Sequence, residues 1–255
     1  MPRLTDLERV RARLDRDRAW SAYALGDLGP AVAQWAEWYA SPGDEALVLV
    51  YRQFATPIVF AIGPPAAVAP LLAEIDEPQI SLQVQQEIVP LLAPRYAIVK
   101  IYPVWRMMLR PAAFVTPDLR DVSPLGPGDL EALQQLYADG EATGEAPDFF
   151  APGMLAAGMF RGIRDGQVLV AAAGTHLVAP ETGICAVGNV YTHRDHRGRG
   201  FGSRVTAAVV VEAQARQLNT VVLNVRQHNG AARRVYERLG FVWMCDFMEG
   251  LARRL

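Results

Sequence analysis

The amino-acid sequence predicts a mixed α/β fold of α+β character. Three observations indicate this fold: strands joined by short turns in the first half, strand–helix units in the second half, and a proline-rich segment between them. A length of 255 residues predicts one large or two smaller domains. With 51% hydrophobic and 20% charged residues, the composition is typical of a globular protein.

In the first half, hydrophobic periodicity predicts a long helix followed by strands at short spacing. Gly26 and Gly29 mark the end of the helix, and Pro42 and Gly43 form a turn between strands. In chain order, the predicted elements are a helix at 7–28, strands at 34–40, 46–51 and 57–62, a helix at 65–75, a strand at 79–84, a short helix at 86–92, and strands at 97–102 and 104–109 that are separated by Pro103.

A proline-rich segment at 111–128 separates the two halves. Its prolines are Pro111, Pro117, Pro124 and Pro127. Proline restricts its own backbone and that of the preceding residue, so the segment is a poor regular element and a good linker. We therefore expect domains at 1–117 and 118–255. The alternative is a long edge loop within one domain.

The second half alternates strands and helices more regularly, which is typical of strand–helix units. A loop rich in glycine and acidic residues at 139–147 lies between its first two helices. In chain order, the predicted elements are a strand at 119–123, helices at 127–137 and 148–159, strands at 161–164, 168–177 and 184–192, a helix at 202–218, a strand at 221–225, a helix at 230–239 and a strand at 241–248.

Charge and composition exclude several classes of protein. The net charge of -2 argues against a nucleic-acid binder that works by neutralising phosphates. The sequence shows neither a signal peptide nor a long uncharged apolar run, so no membrane association is expected. Two cysteines, Cys185 and Cys245, are too few for a disulfide framework. These features together predict a cytoplasmic protein.

The chemically informative stretch is 189–203, where a predicted strand leads through a glycine-rich loop into a helix. Glycine lets the backbone approach an anion closely, and the amides at a helix N-terminus point towards that anion. Arg197 and Arg199 add charged donors. The spacing fits neither a Walker loop nor a dinucleotide fingerprint, so the stretch predicts another kind of phosphate or pyrophosphate site.

Two motifs in this half resemble those of the GNAT superfamily, the GCN5-related N-acetyltransferases. Arg197-x-x-Gly200-Phe201-Gly202 is similar to the loop that binds the acyl-CoA pyrophosphate. The later stretch 229–241 is similar to a second family motif, with Asn229, Ala232, Tyr236 and Gly240-Phe241 in order. The resemblance covers about residues 118–255, and the whole chain resembles two-domain members with an FR47-like carboxy-terminal domain. It implies a central, mostly antiparallel sheet flanked by helices.

The resemblance also implies roles for individual residues. The backbone of Val190, Tyr191 and Thr192 would bind the pantetheine arm of acetyl-CoA. The residues whose amides would bind the pyrophosphate are Arg197, Gly198, Arg199, Gly200, Phe201, Gly202 and Ser203. The second motif would place Asn229, Ala232 and Arg233 beside the cofactor. Arg194 stands where the family often has proline, a departure we expect to leave the loop intact.

The implied reaction is direct transfer of an acetyl group from acetyl-CoA to a primary amine of a small molecule or peptide. Tyr236 would protonate the leaving thiolate. Candidate bases for the amine are His176, Glu141 and Glu145, although a sheet histidine and loop acids also have ordinary structural roles. The alternative for Tyr236 is an aromatic residue that packs on the sheet.

Other reactive side chains fit structural roles better. Cys185 fits a small core residue better than a nucleophile. His193 and His196 lack metal-ligand spacing to other His or Cys residues, so no metal is expected.

The first half lacks an equivalent loop. Where its strand leads into a helix, Pro64 and Pro65 have no N–H to bind an anion. We expect a degenerate GNAT-like domain that shapes the acceptor cleft, or alternatively an unrelated module that binds a partner. The expected assembly is a monomer or homodimer. A non-catalytic acyl-CoA sensor or scaffold is the alternative function.

Overall fold

The structure of the chain is a computed structural model that describes residues 3–141, 144–147 and 149–255. Its α-helices are α1 (Leu7–Leu14), α2 (Ala22–Gly26), α3 (Pro65–Leu72), α4 (Leu130–Glu141), α5 (Met154–Ala157), α6 (Phe201–Ala215) and α7 (Gly230–Arg238). Its strands are β1 (Ala36–Ala40), β2 (Leu47–Tyr51), β3 (Ile58–Ile62), β4 (Gln79–Val84), β5 (Tyr96–Leu109), β6 (Ser123–Leu125), β7 (Phe160–Asp165), β8 (Val168–Ala179), β9 (Ile184–Thr192), β10 (Thr220–Arg226) and β11 (Phe241–Arg254).

The chain divides into two compact units that are not simple halves of the sequence. The first unit comprises Met1–Arg106, Val225–His228 and Met244–Leu255, and the second comprises Met107–Asn224 and Asn229–Trp243. Two short carboxy-terminal segments therefore fold with the amino-terminal part of the chain. That residues 1–117 and 118–255 are separate domains stays a prediction from the sequence.

In the first unit, the sheet has the strand order β1-β2-β3-β4-β11-β5. Strand β11 pairs antiparallel with β4 from Met248↔Val84 to Arg253↔Gln79, whereas β3 and β4 are parallel. Apolar residues of α3 and of the 3-10 helix Gln86–Leu92 pack against these strands, which accounts for the complete burial of residues such as Leu71 and Ile88.

A buried arginine lies among aromatic rings in this unit. The Arg106 guanidinium lies over the rings of Tyr23 and Phe247, at 4.7 and 4.9 Å from their centroids. It also donates a 2.6 Å hydrogen bond to the Trp20 carbonyl. Burial lowers the pKa of Arg106, and these contacts offset part of the cost of burying its charge.

In the second unit, the sheet has the strand order β10-β9-β8-β7-β6, and each neighbouring pair is antiparallel except β9 and β10. Helices α4 and α5 share a core cluster with this sheet, through residues such as Leu133, Leu155 and Phe160. Helix α6 packs on β7, β8 and β9. The predicted mixed α/β class, with mostly antiparallel strands and flanking helices, is confirmed.

Several predicted elements differ from the structure, beginning with the helix at 7–28. It is interrupted after α1 by a 3-10 turn at Asp15–Asp17, and the Asp17 side chain then accepts the backbone N–H of Trp20 at 3.1 Å. The strand pair around Pro103 is one continuous strand, β5. Pro103 still accepts a hydrogen bond through its carbonyl, from the N–H of Gln227 at 3.1 Å.

Three further elements differ from the prediction in length, position or helix type. The first strand of the second half is β6 at Ser123–Leu125 rather than 119–123. The short helix at 86–92 is a 3-10 helix. The predicted helix at 148–159 begins at Asp148, which lies outside the described residues, and its α-helical part is only α5, between Gly153 and Gly158.

Candidate functional site

The glycine-rich loop between β9 and α6 has the geometry of an anion site. Gly198 and Gly200 both have a φ of +78°, a left-handed conformation that favours glycine. A Cβ built on either residue would meet nothing within 4 Å, so the space beside the loop is open. In the described part of the chain, no side chain caps the N-terminus of α6. The N-terminal amides of α6 can therefore donate to an anion.

Strand β9 separates from β10 just before this loop. The parallel pairing runs from Thr220↔Ile184 to Leu223↔Val187, and among the described residues it stops there. Beyond that point β9 carries a bulge against β8, in which Asn189 has a φ of +53°. The backbone of Val190 and Thr192 thus lies past the last β10 pair, as pairing with an extended ligand requires.

The parallel pair brings the two predicted motifs to the same edge of the sheet. Because β9 and β10 run in the same direction, the loop after β9 and helix α7 after β10 follow the carboxyl ends of neighbouring strands. The sequence resemblance predicted both segments as cofactor contacts, and this pairing is the physical reason that they lie close together.

Tyr236 lies on α7 and is 7% exposed. Its ring contacts that of Phe241 edge to face, at a centroid distance of 6.1 Å. Burial raises the pKa of Tyr236 to about 12. The hydroxyl therefore keeps its proton at neutral pH, as a general acid must, while the ring also packs as an aromatic core residue would.

The other residues of the second motif have roles within α7. The Asn229 side chain caps the helix by accepting the Ala232 N–H at 3.0 Å. Arg233 pairs with Glu237 one turn later, at 3.3 Å. Their predicted contacts with the cofactor stay predictions.

The two loop arginines point to different partners. The Arg197 guanidinium donates to both carboxylate oxygens of Glu145, at 3.1 and 2.9 Å, and to the Tyr191 hydroxyl at 3.2 Å. Arg199 lies over the Phe201 ring at 4.7 Å, and its side chain is 55% exposed. Arg197 thus makes close hydrogen bonds to protein groups, whereas Arg199 stacks on Phe201 with more than half of its side chain exposed.

The candidate bases differ in their surroundings. His176 lies at a second bulge, in β8, where its imidazole occupies the space that a side chain at position 188 would need. The Phe149 ring contacts it edge to face at 6.2 Å. Glu145 is held by Arg197, and Glu141 is exposed at the end of α4.

Cys185 is fully buried, and burial raises the pKa of its thiol to about 12. The thiol therefore has little thiolate character, which is consistent with the predicted core role. Within the described residues, no group of three or more His, Cys, Asp or Glu side chains is placed to hold a metal ion. None of the helices in that part of the chain has the length and apolar character needed to cross a membrane.

Sequence reasoning missed two polar residues beside the site, Tyr137 and Asp139 on α4. The Tyr137 hydroxyl donates to the carbonyl of Asn189, at the bulge, over 2.8 Å. The Asp139 carboxylate accepts the Tyr191 hydroxyl at 2.8 Å and Nε of Arg194 at 2.5 Å. The signal available in the sequence was Arg194, which stands where the family often has proline. Its charge at the start of the loop calls for an acidic partner such as Asp139.

Comparison with known proteins connects this geometry to a family. Residues 130–241 match the model of the acetyltransferase (GNAT) family. Among curated proteins, none matches the chain significantly.

Several solved structures resemble the chain over most of their length. A GNAT-family protein from Novosphingobium aromaticivorans is 22% identical, with a TM-score of 0.65 over 90% of this chain and 95% of that one. A GCN5-related N-acetyltransferase from Kribbella flavida is 21% identical, with a TM-score of 0.59 over 92% and 94%. A Drosophila protein reaches a TM-score of 0.71 over 99% and 97% at 13% identity. Structural similarity at sequence identities of 13–22% shows a shared fold.

Proposed function

We propose that this chain, which carries a GNAT acetyltransferase domain at residues 130–241, transfers an acetyl group from acetyl-CoA to a primary amine of a small molecule or peptide. Acyl transfer follows from the family. The choice of donor rests on one observation: the open loop around Gly198 and Gly200 lies at the N-terminus of α6, beside the end of β9 that extends past its last pair with β10. Such a loop suits a pyrophosphate, and such a strand end suits an amide-bearing arm.

In the proposed complex, the backbone of Val190, Tyr191 and Thr192 binds the pantetheine arm and the amides at 197–203 bind the pyrophosphate. Acetyl-CoA supplies an activated thioester, whose carbonyl carbon the neutral amine attacks. The C–N bond forms as the C–S bond breaks, and Tyr236 donates a proton to the departing sulfur. Its buried phenol suits this step, because it stays protonated until strongly alkaline pH.

The proton that the amine loses needs an acceptor. Glu145 suits this role least, because both of its carboxylate oxygens accept from Arg197. His176 is the better candidate, since it lies next to Gly188, which immediately precedes the β9 bulge. The FR47-like type and a cytoplasmic location stay predictions from the sequence.

The loop can be tested with one substitution and a matched control. Gly200→Glu places bulk and negative charge where the pyrophosphate is proposed to bind, so calorimetry should detect no acetyl-CoA binding. Gly43→Glu makes the same change at a φ of +72°, also in open space, in the first unit. Both variants should lose similar stability through left-handed strain, but only Gly200→Glu should lose the ligand.

Normal acetyl-CoA binding by the Gly200→Glu variant would reject the loop as the cofactor site. A second assay follows thiol release from acetyl-CoA by the wild-type protein with a panel of amines. Turnover with any amine supports the enzyme. Tight binding without turnover across the panel would instead support the acyl-CoA sensor.

A further inference from the structure

The last turn of α4 is bonded to the beginning of the glycine-rich loop. Besides the Nε contact, the backbone N–H of Arg194 donates to the second oxygen of Asp139 at 3.1 Å, and the Arg194 guanidinium also donates to the Asp139 carbonyl. Nε2 of His193 lies 3.6 Å from the same carboxylate. One side chain of α4 therefore accepts hydrogen bonds from Arg194 and lies close to the His193 ring.

The same turn also contacts β9. The Tyr191 hydroxyl donates to Asp139 and accepts from Arg197, so a chain of hydrogen bonds runs from α4 to Arg197 in the loop. Gly140 packs so closely that a Cβ there would lie 2.8 Å from the Tyr191 ring. The strand end and the loop proposed to bind acyl-CoA are thus both fixed to this turn.

The charge of Asp139 is unexpected beside an anion site. Partial burial acts to raise its pKa, but hydrogen bonds from Arg194 and Tyr191 outweigh burial and hold the pKa of Asp139 at about 2. The carboxylate is therefore ionised at every working pH, and Coulomb repulsion alone would weaken the binding of a nearby pyrophosphate. The hydrogen bonds from Arg194 and Tyr191 to Asp139 can offset this repulsion, because they hold the loop in place.

We propose that Asp139 is a positioning residue that acts through Arg194 and Tyr191 to hold the pyrophosphate loop and the end of β9 in their acyl-CoA-binding geometry. The inference rests on the proposed function of this site. Electrostatics alone predicts that removing the negative charge of Asp139 strengthens the binding of an anionic ligand. The positioning role predicts the opposite, that binding weakens.

The test compares Asp139→Asn with Asp165→Asn in the full chain. Asp165 lies beside the same loop, 3.3 Å from His196 and 4.0 Å from Arg199, and its side chain is 64% exposed. Both variants remove one negative charge near the loop. Asp165→Asn should bind acetyl-CoA as tightly as the wild type or slightly more tightly. Asp139→Asn should bind about tenfold more weakly, because an amide cannot accept all of these donors.

A double-mutant cycle shows whether Asp139 acts through Arg194. Arg194→Ala changes an exposed side chain, so it carries less risk to folding. We expect it to weaken acetyl-CoA binding by a similar factor, and the double variant to be little weaker than either single variant. In the ligand-free protein, hydrogen exchange at residues 190–203 should accelerate in Asp139→Asn and not in Asp165→Asn.

The outcomes separate this inference from the proposed function. Asp139→Asn binding equal to or tighter than the wild type, or fully additive effects in the cycle, would overturn the positioning role while the wild type still binds acetyl-CoA. A wild type that binds no acetyl-CoA would overturn both. A KM for acetyl-CoA that rises with little change in kcat supports positioning of the cofactor rather than damage to the chemistry.

Discussion

At the scale of single residues, burial strengthens the hold of Tyr236 on its proton. An exposed phenol loses its proton near pH 10, but burial raises the pKa of this one to about 12. The acidic form, which a general acid requires, is therefore present at every pH below that value. The residue suits proton donation to a thiolate and is unsuited to acting as a base near neutral pH.

Tyr236→Phe keeps the ring and removes only the hydroxyl. We expect kcat to fall by about 100-fold, near the low end for general acid catalysis, because a thiolate is already a good leaving group. Affinity for acetyl-CoA should change little, since the interaction strengthens only as charge develops on sulfur. Wild-type kcat should show no alkaline decline from this group below about pH 11, because the raised pKa preserves the proton donor.

The control for this variant is Tyr96→Phe in the first unit. The Tyr96 hydroxyl donates to the Glu77 carbonyl at 3.0 Å, so its loss should lower stability and leave turnover unchanged. Full turnover by Tyr236→Phe, measured at saturating acetyl-CoA, would remove the general acid from the mechanism.

At the scale of one element, the bulge in β9 depends on a residue that tolerates left-handed backbone. Asn189 has a φ of +53° and is 3% exposed, and its carbonyl accepts the Tyr137 hydroxyl. Asparagine adopts this conformation more readily than branched residues do. The bulge lies just past the last β9–β10 pair, at the start of the stretch whose backbone is proposed to bind pantetheine.

Substitutions at Asn189 separate backbone strain from side-chain contacts. Asn189→Val should destabilise the protein by about 1–2 kcal/mol, because a β-branched residue is strained at this φ, and should raise the KM for acetyl-CoA. Asn189→Gly also removes the amide but permits the same backbone, so its stability should stay within about 1 kcal/mol of the wild type. Urea unfolding measures both, and equal losses for Val and Gly would contradict the strain argument.

At the scale of the whole molecule, the first compact unit needs both ends of the chain. Residues 244–255 belong to it, and there β11 pairs with β4 and buries Phe247 and Ala252 completely. A cut between residues 117 and 118 therefore separates β11 from its β4 partner and exposes apolar side chains that the full chain buries.

We expect the fragment 118–255 to aggregate or to unfold without a cooperative thermal transition, whereas the full chain unfolds cooperatively. Calorimetry and size-exclusion chromatography measure this difference. Co-expression with residues 1–117 should restore a soluble, cooperative species, because it returns β4 to β11. A monomeric fragment with a sharp transition would instead support the predicted boundary as that of an independent domain.

Local patterns in the sequence were sufficient to predict many of the strands and helices of this protein. Periodicity and turn residues predicted β4 and β9 with their exact bounds and placed α6 and α7 within a few residues. The glycines at 198 and 200 marked the loop that is proposed to bind the pyrophosphate, because left-handed backbone favours glycine whatever surrounds it. These features depend on neighbours within a few positions along the chain, so a single sequence records them.

The tertiary structure alone decided the features that depend on residues far apart in the chain. The sequence does not show that Asp139 would receive donors from Arg194, 55 positions away, or that Arg197 would bind Glu145. It also predicted a break at Pro103, where the structure has a continuous strand. A hydrogen bond between distant residues forms only when the packed sheet and helices bring them together, and the free energy of that packing is spread over many residues rather than carried by one motif.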